Sequence, residues 1–197
     1  MSPARWVDLA SVPVQPWRNG GGTTRELLAG TDANNGCWRI SVADIAADGP
    51  FSSFPGVERW FAVLSGAGVE LTVGGVAHRL RAGDAPLRFD GGAATTCRLL
   101  DGPTRDLNLM LRGASGGMHA ARHARVWRPG SSGCGLLAAV AGQCHHSKRV
   151  IAVPAGTLLW LDNAPAMLRF EADTPPSAAN KAPIGWWLAV TPQVAPP

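Results

Sequence analysis

Three polar stretches of this 197-residue chain carry residue types that could do chemistry. The first, residues 16–27, reads PWRNGGGTTREL and places Asn19 before three consecutive glycines, residues 20–22. A glycine run lets the backbone approach a ligand closely, and its free N–H groups can form an anion-binding concavity. A wide turn, with Thr23 and Glu26 as a capping box that opens a short helix, explains the same residues.

The second stretch, residues 48–59, reads DGPFSSFPGVER. Its prolines and glycines fix turns, and its two phenylalanines supply an apolar wall. Arg59 then enters the next strand candidate, and its planar guanidinium is suited to a carboxylate. An arginine at the start of a strand also serves as a surface or ion-pair residue, so both interpretations stay open.

The third stretch, residues 104–110, reads TRDLNLM. In a strand, Asp106, Asn108 and Met110 fall on one face, and the two leucines between them fall on the other. A polar face that points into a barrel would form a binding site, whereas the same face on the outside would be solvated.

The elements that position these residues are predicted to be short strands. Runs of branched, aliphatic and aromatic residues are bounded by Gly, Pro and Asp, the pattern typical of strands. They cover residues 37–45, 59–64, 95–100, 106–111, 135–140, 149–153, 157–161, 166–170 and 185–190. The clearest hairpin joins residues 69–73 to 76–80 through Gly74 and Gly75, which suit the positive φ angles of a type I′ turn.

The series of predicted strands is interrupted once, which predicts two lobes. Residues 113–133, GASGGMHAARHARVWRPGSSG, carry Gly/Ser clusters at both ends and are predicted to connect an N-terminal lobe, residues 1–112, to a C-terminal lobe, residues 134–197. Residues 153–160 loosely echo residues 80–87, which favours two lobes of similar topology. No long amphipathic helix competes, so the predicted fold class is all-β.

Composition excludes several classes of protein. The chain is 46% hydrophobic and 16% charged, a globular balance, and no apolar run is long enough for a membrane helix. The N-terminal residues lack the pattern of a signal peptide, so we expect a cytoplasmic protein without a membrane partner. The four cysteines form no CxxC pair and are expected to be mostly buried, reduced thiols.

A basic segment, residues 112–149, contains six Lys and Arg residues, four histidines and no acid. Such a segment could meet an anion, but we interpret it as a solvated, linker-like stretch. Nucleic-acid binders usually interleave such charge with aromatic residues on a regular element, and here only Trp127 interrupts it. We therefore do not expect a nucleic-acid partner.

Neither metal nor cofactor chemistry is predicted. A metal-binding barrel of this kind needs clustered imidazoles and a carboxylate, and the order HxH, Glu, His is absent. Cys134 with Cys144, His145 and His146 is a conceivable zinc cluster, but its spacing matches no familiar structural site. The sequence also lacks a P-loop, a GxGxxG motif in a βαβ context and a GxSxG elbow, so no catalytic residue is assigned.

Taken together, the motifs resemble the HutD/Ves family, which is associated with bacterial histidine-utilisation operons. PWRNGGGTTREL (16–27), WRISVADIAADGPFSSFPGVERWFAVLSG (38–66) and RDLNLMLR (105–112) carry the resemblance. It implies an RmlC-like bicupin, with two cupin-like (jelly-roll) β-barrels in one chain. It also implies a pocket that binds a small anionic ligand, a carboxylate such as a formylated amino acid, in a non-enzymatic regulator.

The resemblance assigns three groups of residues to that pocket. They are a backbone cradle of Asn19, Gly20, Gly21, Gly22 and Thr23, a wall and carboxylate partner of Phe54, Pro55 and Arg59, and a facing strand with Arg105, Asp106, Asn108 and Met110. The alternative is a metal-independent cupin enzyme, an isomerase or lyase acting on a small acid with Asp106 or Glu26 as base. Exposed strand edges favour a homodimer.

Overall fold

The computed structural model describes residues 4–31, 36–177 and 182–192. In these ranges nearly all regular structure is β-strand, with one short 3-10 helix at Leu9–Ser11. The strands up to the middle of the chain are β1 (Arg5–Asp8), β2 (Gln15–Pro16), β3 (Gly22–Thr31), β4 (Cys37–Ile45), β5 (Gly49–Pro50), β6 (Glu58–Ser65), β7 (Val69–Val73), β8 (Val76–Leu80), β9 (Leu87–Asp90), β10 (Thr95–Leu99) and β11 (Thr104–Arg112). They are followed by β12 (Ala114–Ala121), β13 (Val126–Trp127), β14 (Gly133–Ala138), β15 (Gly142–His146), β16 (Arg149–Val153), β17 (Thr157–Leu161), β18 (Leu168–Ala172) and β19 (Gly185–Pro192). The all-β prediction is confirmed.

The chain divides into two compact units. The first is Val12–Ala114, and the second contains Ser115–Pro192 together with β1 and the 3-10 helix. The boundaries differ from the predicted lobes because β1 pairs with β17, and because residues 113–133 contain β12 and β13. The small residues of β12 have low intrinsic strand propensity. The strand forms because it pairs with its neighbour β19 in the sheet.

The first unit consists of two sheets around an apolar core. The six-stranded sheet has the order β2-β3-β4-β11-β6-β9, and the four-stranded sheet has the order β5-β10-β7-β8. Inward-facing side chains from both sheets, among them Phe61, Val69 and Leu71, form one core cluster. In the larger sheet β11 lies between β4 and β6, so that the polar residues of β11 have neighbours on both sides.

The predicted hairpin is confirmed in position and in turn chemistry. Strands β7 and β8 pair antiparallel, with Val73 opposite Val76 across the two glycines. Gly74 has a φ of 54° and Gly75 a φ of 87°, the positive values that a type I′ turn requires at both central residues. Val69 and Leu71 face the core, as their alternation predicts.

The second unit repeats the strand order of the first with an offset of eight. Its sheets have the orders β1-β17-β14-β19-β12 and β13-β18-β15-β16. Adding eight to each strand number in β4-β11-β6-β9 and β5-β10-β7-β8 reproduces these orders, with β1 as an extra edge strand. The chain therefore has two cupin-like jelly-roll units, as predicted.

Apolar side chains pack together in the interior of the second unit. Trp127 stacks on Trp187 with ring centroids 4.9 Å apart, and Trp187 belongs to the unit's core cluster. Cys134 and Cys144 lie in the same cluster, and the four cysteines of the chain are free, as expected. In the described ranges, no helix has the length and apolar character needed to cross a membrane.

Candidate functional site

A cavity of about 490 Å³ opens inside the first unit, and we call it the polar cavity. Its wall includes Asp106, Asn108 and Met110 from β11, with Arg39 and Ser41 from β4. The register explains this set, because Asn108 pairs with Ser41 and Met110 pairs with Arg39, so the side chains share one face. Of the two alternatives for residues 104–110, the structure has the one in which the polar face points inward.

Arg59 is the dominant charge of the polar cavity. It is only 6% exposed, and its guanidinium carbon lies 5.2 Å from the centre of the Phe51 ring, 5.8 Å from Phe54 and 5.1 Å from Phe89. Burial lowers the pKa of Arg59 from its ordinary value to about 10, against the attraction of Asp106, so the side chain remains a cation at neutral pH. The three rings hold that cation by cation–π contacts.

Asn108 connects Arg59 to Asp106. Nη2 of Arg59 donates a hydrogen bond to Oδ1 of Asn108 at 2.8 Å, and Nδ2 of Asn108 donates to Oδ1 of Asp106. Within the described part of the chain, the buried Nε of Arg59 has no hydrogen-bond partner. A buried, unpaired donor on a cation is costly, so this edge of Arg59 is suited to an anionic oxygen.

Asp106 is a deeply buried carboxyl group in the wall of the polar cavity. It is 1% exposed, and burial raises its pKa well above the ordinary value of 3.8. The charge of Arg59 and the hydrogen bond from Asn108 act in the opposite direction, and the charge of Asp44 adds to the increase. The polar cavity thus contains a fixed cation and a carboxyl group whose ionisation is opposed by its surroundings.

A second arginine contributes to the wall but is already paired. Nε of Arg39 lies 2.9 Å from Oε2 of Glu26, and Nη1 of Arg39 contacts Sδ of Met110 at 3.9 Å. Glu26 is 42% exposed, so this ion pair is screened by solvent. Nε of Arg39 is also buried without a hydrogen bond of good geometry, but the Glu26 carboxylate lies beside it as a counter-charge, whereas Arg59 forms no salt bridge in the described ranges.

The segment before β3 forms another part of the wall. Nε1 of Trp17 donates to Oγ1 of Thr24 at 2.7 Å, and the Trp17 ring meets the Phe51 ring edge to face. Both residues of that hydrogen bond line the polar cavity, as does Asn19. Oδ1 of Asn19 accepts the N–H of Gly21 at 3.0 Å, so the amide of Asn19 is engaged in its own turn.

The three glycines serve the strand pairing beside the cavity and do not form its wall. Gly20 has a φ of 71°, and the carbonyl of Gly21 accepts the N–H of Ala46 at 2.9 Å. A Cβ on Gly22 would lie 2.4 Å from the carbonyl oxygen of Asp44. Gly22 is needed because β3 and β4 approach closely here. The alternative of a short helix opened by Thr23 and Glu26 is wrong, since both residues lie in β3.

The predicted site residues therefore divide into two sets. Those that line the polar cavity are Asn19, Phe54, Arg59, Asp106, Asn108 and Met110, and those that lie outside its wall are Gly20, Gly21, Gly22, Thr23, Pro55 and Arg105. Pro55 is exposed in the turn before β6. Thr23 pairs with Asp44 in the β3–β4 ladder.

Arg105 is on the opposite side of β11 from the polar cavity. Its Nε donates to Oδ1 of Asp44 at 2.6 Å and its Nη2 to Oδ2 at 3.1 Å, while Arg25 donates to the same carboxylate at 2.9 Å. Successive residues of a strand point to opposite faces, so Arg105 cannot share the face of its neighbour Asp106. Hydrogen bonding to Arg105 holds the pKa of Asp44 below its ordinary value.

Three wall residues of β4 were not predicted, namely Arg39, Ser41 and Ala43. Arg39 and Ser41 alternate with apolar residues in the run CWRISVADI, and this period-two pattern is the signal that could have identified them. Phe89, whose ring packs on Arg59, comes from β9, and nothing in the sequence pairs β9 with β6.

No metal centre is found in the part of the chain that the structure describes, where no three His, Cys, Asp or Glu side chains are grouped to hold an ion. Cys134 and Cys144, two members of the conceivable zinc cluster, instead lie in the apolar core of the second unit. Burial raises the pKa of each thiol to about 12, which opposes the thiolate that a metal needs.

The fold and the site together define a class, the cupin-like proteins with two jelly-roll units in one chain and a polar cavity inside one of them. Within that class, the HutD family model matches residues 9–179, and the chain belongs to the HutD family.

Curated relatives are similar over part of the chain. An uncharacterized 21.2 kDa protein in the hutC 3′ region of Pseudomonas putida is 38% identical over 112 residues, covering 56% of this chain and 59% of that protein. Protein Ves of Citrobacter koseri is 40% identical over 110 residues, covering 54% and 57%. In both cases the matched region spans less than two thirds of the relative.

Solved structures match almost the whole chain. A conserved protein of unknown function from Pseudomonas aeruginosa has a TM-score of 0.78 at 28% identity, covering 98% of this chain and 100% of that one. HutD from Pseudomonas fluorescens has a TM-score of 0.79 at 23% identity, with the same coverage. The second match shows the shared fold.

Proposed function

We propose that this protein binds a small carboxylate, such as a formylated amino acid, in the polar cavity and acts as a non-enzymatic regulator linked to histidine utilisation. The observation that carries the proposal is Arg59, a buried cation whose Nε has no partner in the described chain. Planar guanidinium edges bind carboxylates through paired, charge-assisted hydrogen bonds. The Phe51, Phe54 and Phe89 rings fix the plane in which such a ligand would lie.

The surroundings of Arg59 favour a small, partly polar ligand. The cavity of about 490 Å³ falls within the range of small-molecule sites, and Ser41 and Asn108 offer hydrogen bonds beyond the carboxylate. The link to histidine utilisation is supported by the relative in the hutC 3′ region of Pseudomonas putida. The HutD structure from Pseudomonas fluorescens is described as a formate condition, and formate is the smallest carboxylate.

Calorimetry with formylglutamate, urocanate and formate tests the proposal. For the tightest of these ligands, Arg59→Ala is expected to weaken binding by about 2–5 kcal/mol, roughly 30-fold or more, because a buried charge pair is lost. Arg59→Lys is expected to weaken it as well, since an ammonium group lacks the planar fork. Thermal melts of each variant establish that it is folded.

Arg105→Ala is the matched control, because this arginine pairs with Asp44 outside the polar cavity. It removes the same type of charge from the same unit and is expected to leave affinity within about twofold. Equal affinity of wild type, Arg59→Ala and Arg59→Lys for all three acids would exclude Arg59 as the carboxylate partner.

A second candidate function is a metal-independent isomerase or lyase acting on a small acid. The observation that favours it is the carboxyl of Asp106, which lines the cavity and can exchange a proton at a pH where an ordinary Asp cannot. NMR of each acid incubated with the protein would show turnover, and Asp106→Asn would abolish it. Binding without conversion of any ligand favours the regulator.

A further inference from the structure

Arg59, Asn108 and Asp106 form one hydrogen-bonded chain in the wall of the polar cavity. Asn108 accepts from Arg59 and donates to Asp106, and both charged residues are buried, at 6% and 1% exposure. The proposed function uses Arg59 but gives no role to the buried carboxyl group of Asp106, at the other end of this hydrogen-bonded series. Burial of a carboxyl without a full ionic partner is costly, so its position calls for a physical reason.

Charge balance supplies that reason. In the empty cavity, an ionised Asp106 partly neutralises Arg59, and the two lie close enough to shift each other's pKa. A ligand carboxylate on the free Nε of Arg59 brings a second anion to the same cation. Two carboxylates that share one site with low solvent access cannot both remain ionised, and the more deeply buried one takes the proton.

Among the titratable groups around the hydrogen-bonded residues Arg59, Asn108 and Asp106, Asp106 is the one expected to change protonation when a ligand binds. From β4, Arg39 is paired with Glu26, and Asp44 is held ionised by two arginines. From β10, the Cys97 thiol has a pKa raised to about 12 by burial, so it stays neutral throughout the working range. The remaining charged neighbours are arginine cations: Arg18, which is exposed on the cavity wall, and Arg25 and Arg105, which pair with Asp44.

We propose that Asp106 is a positioning residue that takes up one proton from solvent when a carboxylate binds to Arg59. The inference rests on the proposed function and names how that same site is regulated. The proton converts the Asp106 carboxylate to a neutral carboxylic acid, so the ligand replaces Asp106 as the counter-charge of Arg59. Asn108 keeps both hydrogen bonds in this exchange, since a carboxylic acid still offers its carbonyl oxygen as acceptor.

The sign of the pH dependence follows from linkage. Because the complex holds more protons than the empty protein, affinity is highest at low pH. It falls as the pH rises between the pKa of Asp106 in the empty protein and its pKa in the complex, by up to about tenfold per pH unit. The ligand carboxylate does not contribute, because it is ionised throughout.

Calorimetry with formylglutamate at pH 6, 7, 8 and 9, in two buffers of different ionisation enthalpy, measures the protons exchanged on binding. Wild type is expected to take up as much as one proton, over the same range in which its affinity falls. Asp106→Asn, which preserves the shape and a hydrogen bond to Asn108, is expected to bind without uptake and with flat affinity. Asp44→Asn is the control and is expected to retain the uptake, because its carboxylate lies outside the cavity wall.

A second measurement keeps the test independent of whether Asp106→Asn folds. In wild type labelled with ¹³C at Asp carboxyls, one resonance is expected to titrate above its ordinary range and to move further on addition of formylglutamate or of formate at high concentration. Binding with no proton uptake at any of the four pH values overturns this inference and leaves the proposed function in place. Absence of binding by formylglutamate, urocanate and formate overturns this inference and the proposed function together.

Discussion

Arg59 on β6 donates a 2.8 Å hydrogen bond to Asn108 on β11, the neighbouring strand of the six-stranded sheet. Asn108 lies opposite Phe61, two residues along β6 from Arg59, so the bond joins diagonal neighbours on one face of the sheet. The pair fixes the orientation of the guanidinium, and it makes the side-chain amide of Asn108 a shared support for two buried charged groups.

Replacing Asn108 should therefore cost more than the loss of one polar contact. Asn108→Leu leaves Arg59 and Asp106 buried without their common partner, and we expect the free energy of unfolding to fall by about 2–4 kcal/mol. Urea denaturation followed by fluorescence measures the change. Gln143→Leu, at an exposed position of β15, is the control and is expected to stay within about 0.5 kcal/mol of wild type.

The glycine run is expected to respond position by position. Gly22→Ala should cost more than about 2 kcal/mol because its Cβ meets the backbone of Asp44, and Gly20→Ala about 1–2 kcal/mol because of its positive φ. Gly21→Ala, whose Cβ meets only the Asn19 side chain at 3.4 Å, should be nearly neutral. Chemical denaturation measures the free energy of unfolding of each variant and so tests this order of destabilisation.

The same three variants decide between a structural glycine run and a backbone cradle. If the run serves strand pairing, Gly21→Ala binds formylglutamate as wild type does. A stable Gly21→Ala protein that no longer binds would instead restore the cradle as part of the site.

Thiol reactivity should single out one cysteine. Burial raises the pKa of Cys97, Cys134 and Cys144 to about 12, so these thiols are both inaccessible and protonated at pH 8. Cys37 is only partly buried. Labelling of the native protein with iodoacetamide, read by mass spectrometry, is expected to modify Cys37 first, and Cys37→Ser should abolish the fast phase. Fast labelling of Cys134 in the native state would contradict the apolar core of the second unit.

Two carboxyl groups should shift the stability of the protein with pH in opposite senses. Asp106 has a raised pKa in the folded state, so its contribution to stability is present below the ordinary value of 3.8 and is lost as the pH rises through the folded pKa. Asp44 has a lowered pKa, chiefly because of its hydrogen bond to Arg105, so its contribution is present above 3.8 and is lost as the pH falls through its folded pKa.

Unfolding free energies measured in urea from pH 3 to pH 9 test both signs. In wild type, the free energy of unfolding is expected to decline by at most about 1.4 kcal/mol per pH unit as the pH rises through the folded pKa of Asp106. Asp106→Asn is expected to remove this decline. Asp44→Asn is expected to lose stability above pH 4 and to match wild type more closely in acid. Identical pH profiles for the two variants would show that neither shift is present.

Local rules were enough to predict much of the first unit. Period-two alternation placed Asp106, Asn108 and Met110 on one face, and the two glycines of the β7–β8 hairpin specified its turn. The same alternation excludes Arg105 from that face, so the resemblance that grouped Arg105 with Asp106 was less informative than the strand geometry.

The remaining features depend on contacts distant in sequence. Gly22 is required by the carbonyl of Asp44, more than twenty residues away, and the sequence does not show that approach. Strand β12 is built of small residues and forms beside β19, so its composition resembled a linker. The aromatic surroundings of Arg59 were predicted only in part, because Phe89 lies on β9 and is brought next to Arg59 by the pairing of β6 with β9.

The eight-strand offset between the two units is what tandem duplication of one ancestral barrel leaves behind. The unit that contains Arg59 has a polar lining, whereas tryptophans such as Trp127 and Trp187 pack in the interior of the other. Two copies of one strand order therefore enclose interiors of opposite chemistry, because the inward-facing side chains can differ while the pairing of the strands stays the same.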